Sequence, residues 1–168
     1  MKKCFLIGAV LLFLFGCSPE SKQEADPNVR YFDLISLIRE YDSFQTSSNY
    51  FDINVENAVL ADGGYRFYVT IDNARVAIYD LEAIAIEEGV DYSRTMAANI
   101  GIFEDAQYNM VPNQANPEKG YYKGVVASAT TDKPTTTLHI LVQWKNKDLS
   151  VLHREFFELT ASYTGVNE

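Results

Sequence analysis

From Tyr50 onward the apolar residues fall at every second position. Phe51, Ile53 and Val55 alternate with Asp52, Asn54 and Glu56, and after Asp62-Gly63-Gly64 the alternation resumes as Tyr65, Phe67, Val69 and Ile71. Side chains of an extended chain point alternately to the two faces of a sheet, so a period of two marks half-buried strands, and Asp-Gly-Gly between two such runs marks a hairpin. Further strand-like runs follow at Val76–Ile86, Tyr121–Thr130, Thr136–Trp144 and Leu149–Thr160, separated by turn-rich segments such as Pro112–Gly120. Periodicity does not decide between helix and loop-to-strand for Ser93–Phe103. About seven short strands over residues 50–160 predict an antiparallel β-sandwich.

One segment before the strands has a different period. Asp26-Pro27 is a helix start, with Asp as cap and Pro in the first turn; Tyr31, Leu34, Ile35, Ile38 and Tyr41 then recur at three- and four-residue spacing among charged neighbours. The spacing predicts one amphipathic helix over 27–43. It either pads a sheet face or mediates contacts.

The N-terminus reads as an address. Lys2 and Lys3 precede Phe5–Phe15, eleven residues without a charged or polar side chain. That run is too short to span a bilayer, which takes about 20 residues, but suits a secretory signal. It ends in Leu14-Phe15-Gly16-Cys17, which resembles the lipobox of bacterial lipoproteins: an aliphatic residue three before the cysteine and a small one just before it. Phe15 departs from the pattern, where that family usually has a smaller residue. The resemblance implies cleavage after Gly16, removal of residues 1–16 as signal peptide, and diacylglyceryl attachment to Cys17, with the cell membrane, extracytoplasmic face, as the location. The polar residues 17–26 suit a tether, leaving 27–168 as a single domain. Cysteine count agrees. Cys4 leaves with the signal, and the remaining thiol has no partner for an intramolecular bridge.

The mature chain would keep 152 residues with 12 basic against 23 acidic side chains, net −11. Phosphate backbones and anionic headgroups repel such a surface, which argues against nucleic-acid binding and against membrane attachment through a basic patch. The membrane contact is then the lipid on Cys17.

Catalysis needs groups that converge. Reading Lys145–Asp148 as a tight turn sets Trp144 opposite Leu149, Ile140 opposite His153 and His139 opposite Arg154, so that the two histidines point to opposite faces of the sheet. Asp52–Glu56 looks like the start of a calcium loop but has Asn57 where that loop needs glycine and Gly63 where it needs glutamate. There is no Gly-x-Ser-x-Gly, His-Glu-x-x-His or Gly-x-x-x-x-Gly-Lys. The expectation is a non-enzyme without metal or cofactor.

The strand runs Tyr68–Asn73, Tyr121–Ala127 and Leu138–Trp144 resemble the immunoglobulin-like accessory domains of bacterial surface lipoproteins. The resemblance rests on strand patterning and implies binding or scaffolding. Two functions follow as expectations: a lipid-anchored interaction module docking a protein partner in the envelope or, as the alternative, a small ligand- or glycan-binding lipoprotein using Tyr121, Tyr122 and Trp144 as an aromatic surface.

Overall fold

A computed structural model describes residues 26–164 of the chain; Cys17 and the tether up to residue 25 lie outside the described residues. The elements are helix α1 (Pro27–Glu40) and strands β1 (Asp52–Val59), β2 (Tyr65–Asp72), β3 (Tyr79–Glu87), β4 (Ala98–Ile100), β5 (Gly124–Thr131), β6 (Thr135–Lys145) and β7 (Leu152–Ser162). They form two antiparallel sheets, one ordered β1-β2-β5 and the other β4-β3-β6-β7. Together the two sheets form a β-sandwich in which the fourth strand lies beside the third. The open segment Ser93–Phe103 is a turn leading into the three-residue β4.

The inward positions of both sheets meet in one core. Phe67, Val69 and Ile71 of β2 pack with Leu81, Ala83 and Ala85 of β3 and with Leu138, Ile140, Val142 and Trp144 of β6. The outer face of the larger sheet is also apolar: Ile84, Ile86 and Leu141 lie under Tyr31, Leu34, Ile35 and Ile38 of α1. The helix therefore pads a sheet face, and the molecule has three layers. This arrangement accounts for β3, whose sequence YDLEAIAIE is buried continuously from Leu81 instead of at alternate residues.

The strands expected at Val76, Tyr121 and Leu149 begin three residues later, at Tyr79, Gly124 and Leu152, and two further boundaries differ for a clear physical reason. The helix ends at Glu40 instead of residue 43, because Tyr41 turns extended and its ring stacks on Phe156 with centroids 3.8 Å apart. The β6–β7 connection is a six-residue loop, Asn146–Val151, not a four-residue turn. The Asn146 Oδ1 accepts the amides of Ser150 and Val151, each at 3.0 Å, and this holds the longer loop closed. The register consequently places Trp144 opposite His153 and His139 opposite Glu158. A four-residue shift preserves side-chain parity, so the histidines still face opposite ways. His139 stacks on Phe44 on the helix side, and His153 stacks on Trp144 on the core side.

Candidate functional site

A buried ionisable cluster lies between α1 and the sheet. Near the start of β3 a bulge between Tyr79 and Glu82 breaks the pairing with β6, with Asp80 at φ +47°. The extra residue turns Leu81 into the core and Glu82 toward the helix, where the carboxylate is 10% exposed. Arg30 of α1 and the Gln143 amide of β6 both donate to Glu82 Oε2, and Arg154 Nε of β7 donates to Gln143 Oε1 at 2.8 Å. A polar relay thus crosses α1, β3, β6 and β7. Burial raises the Glu82 pKa above the ordinary carboxylate value, against the lowering effects of the Gln143 bond and the Arg30 charge.

A cleft of about 310 Å³ opens beside this cluster, lined by Arg30, Asp80, Glu82, Glu104, Tyr108 and Lys145. Most of its charges are engaged: Arg30 with Glu82, Lys145 with Asp80 at 2.9 Å, and Glu104 accepting the Gly101 amide at 2.9 Å, while Asp105 also lines it. Gly101 itself is required here. It sits at φ +77°, and a Cβ would fall 2.3 Å from the Leu81 carbonyl oxygen. The Arg30–Glu82 pair fastens α1 to the sheet, and the Leu81 amide donating to the Tyr108 carbonyl at 2.8 Å fastens the 101–108 loop to β3. Among the described residues no group of three His, Cys, Asp or Glu is placed to hold a metal ion, and no helix is long and apolar enough to cross a membrane.

The aromatic surface predicted from Tyr121, Tyr122 and Trp144 does not assemble. Trp144 is 2% exposed, wedged edge-on against Phe51 and stacked on His153, because its strand directs even-numbered residues into the core. Tyr122 is half-buried with its ring 5.2 Å from that of Tyr108, and Tyr121 is taken into loop pairing with Asn109 and Asn116. Only the two tyrosines remain near solvent. Cys17 lies outside the described residues.

The sheet edges separate more sharply. Exposed edges of sheets are templates for pairing with other chains, and proteins blunt them with charges, shortness or cover. β1 carries Asp52, Asn54 and Glu56 outward, and β4 is three residues long. β7 carries Arg154, Glu155 and Glu158, and Gln45 covers part of it by accepting the Glu158 amide and donating to the Phe156 carbonyl. β5 has neither charge nor shortness to blunt it, although the three-residue β4 of the other sheet packs beside part of it. Its sequence, GVVASATT, holds no charge and no proline, and it pairs with β2 over all eight residues without a bulge. Among the described residues its other side makes no backbone hydrogen bond, and Val126 is 52% exposed. Eight uncharged residues in a chain with 22% charged side chains were visible in the sequence as a signal; that they form an edge was not.

No protein-family model matches this sequence, and no curated protein matches it. Among solved structures it is similar to the X-ray structure of Northeast Structural Genomics Consortium target SoR45, with 11% identity and a TM-score of 0.41 over 70% of this chain and 88% of that one. At that level the likeness lends this chain neither a fold nor a function.

Proposed function

We propose that the protein is a non-catalytic interaction module of the bacterial envelope, anchored on the extracytoplasmic face of the cell membrane through lipid on Cys17. Its docking element is β5, which accepts an extended segment of an envelope protein as an added strand. The single observation that carries this reading is the contrast among the four sheet edges, of which β5 alone is long, regular and uncharged. Main-chain hydrogen bonds would supply affinity, and the outward Val126 and Thr130 the side-chain selectivity. The engagement of Glu82, Arg30, Lys145 and Asp80 with one another supports a binding role over a catalytic one.

The test is a photo-crosslinking residue at Val126, with Glu56 on β1 as the matched control, irradiated in intact cells. A discrete adduct with a second envelope protein from position 126, absent from position 56, is the expected result. No adduct at 126, or one identical adduct from both edges, would refute β5 as the docking edge.

A further inference from the structure

The β6–β7 loop is built to hold apolar side chains in solvent. Leu149, Val151 and Leu152 are 48%, 47% and 45% exposed at and beside its tip. Leu149 sits at φ +59°, a left-handed conformation that a leucine rarely adopts and that asparagine or glycine would take more readily. The loop is braced from within. The Asn146 side chain accepts two amides, the Asp148 carboxylate accepts both the amide and hydroxyl of Ser150, and the Leu149 amide donates to the Asn146 carbonyl. A strained, rigid, exposed leucine with two apolar neighbours is a display element and not a by-product of chain reversal.

What covers the tip follows from where the chain enters the domain. Pro27, the first residue of α1, lines the same cleft as Lys145, and Lys145 pairs with Leu152. Tether and apolar tip therefore share one end of the sandwich, along with Val76 (38% exposed) in the loop after β2. Nine residues, Ser18–Asp26, separate Cys17 from α1. They reach at most about 30 Å. A domain of this length has a radius of gyration of about 14 Å. An anchor on a connection no longer than the domain's own dimensions places the end bearing Pro27 nearer the bilayer than the opposite end.

We infer that this tip is a membrane-contact element: Leu149, Val151 and Leu152 enter the headgroup boundary of the bilayer that holds the anchor, setting the domain upright. This rests on the reading of Cys17 as lipidated. The lipid keeps the chain at the membrane; the tip fixes its orientation, so that β5 runs away from the surface and stays open to a partner.

With Cys17 acylated the mature chain has no other thiol, so an introduced cysteine takes a label alone. Lipidated mature protein carrying Val151→Cys or Val59→Cys, labelled with an environment-sensitive fluorophore, is reconstituted into phosphatidylcholine vesicles. Val59 is 48% exposed at the other end of the sandwich, about 25 Å away along β1. The label at 151 is expected to shift to the blue and lose most of its emission to headgroup-level quencher lipids, and the label at 59 to do neither. Adding Leu149→Asn to the Val151→Cys chain should reduce the shift. Equal responses at the two sites, or no response at 151 from vesicle-bound protein, overturns the orientation alone. Absence of lipid on Cys17 by mass spectrometry overturns this inference and the anchor together.

Discussion

Ile38→Ala tests whether α1 is part of the domain or an appendage to it. The Ile38 side chain is 1% exposed on the outer face of the large sheet, in the cluster that holds Ile84, Ile86 and Leu141. Truncating a buried isoleucine removes its transfer free energy and leaves a cavity, about 2–5 kcal/mol together. The helix buries Tyr31, Leu34, Ile35 and Ile38. At about 1.5–3 kcal/mol each, the four contribute about 6–12 kcal/mol, comparable with the whole stability of a domain this size, about 5–15 kcal/mol. Urea unfolding followed by circular dichroism should therefore show Ile38→Ala lowering the midpoint by a large fraction without changing the slope, while Asp33→Ala on the exposed helix face stays within about 0.5 kcal/mol. A chain lacking residues 26–43 should fail to fold cooperatively. If Ile38→Ala costs under about 1 kcal/mol, or the helix-less chain unfolds at the parent midpoint, the three-layer argument is wrong.

The other expectations concern single sites. Arg30→Ala strips the partner from a mostly buried carboxylate; because Arg30 is 37% exposed the cost is discounted to about 1–3 kcal/mol at neutral pH, and Arg30→Ala with Glu82→Gln should recover part of it. Burial raises the Glu82 pKa in the fold, so its contribution to stability is full below the ordinary value of 4.5 and falls as pH rises through the folded-state value. Glu82→Gln should flatten that part of the stability profile in urea melts at stepped pH, and an unchanged slope would refute the assignment. Leu149→Asn relieves a left-handed leucine and should stabilise the free domain by about 0.5–1 kcal/mol; a loss of similar size would show that the tip is not strained. The single tryptophan should emit as a buried indole and resist acrylamide, and Trp144→Ala should cost about 3–5 kcal/mol, whereas strong quenching would place it back on the surface.

Strand identity and the first hairpin were legible because polar and apolar residues alternate where one sheet face meets the core and the other meets water. The padding role of α1 was only half legible. Ala83-Ile84-Ala85-Ile86 lacks alternation because both faces of β3 are covered, a pattern that by itself also suits a buried helix. Trp144 misled for the same reason: on β6 both faces are largely buried, so an aromatic residue there carries no mark of which side it faces. The β6–β7 register depended on the Asn146 side chain closing a six-residue loop, a contact that no periodicity reports. The Glu82 cluster was hidden because its members come from four separate elements and meet only after a bulge redirects one residue.

The anchor on Cys17 is the claim on which the proposed location and the membrane-facing tip both stand. Intact mass analysis of protein extracted from membranes of producing cells, wild type beside Cys17→Ser, tests it most directly. The account predicts a wild-type chain that begins at Cys17 and carries a diacylglyceryl mass, and a variant that keeps residues 1–16 and carries none. A wild-type chain without lipid, or a Cys17→Ser variant processed like the parent, would contradict it.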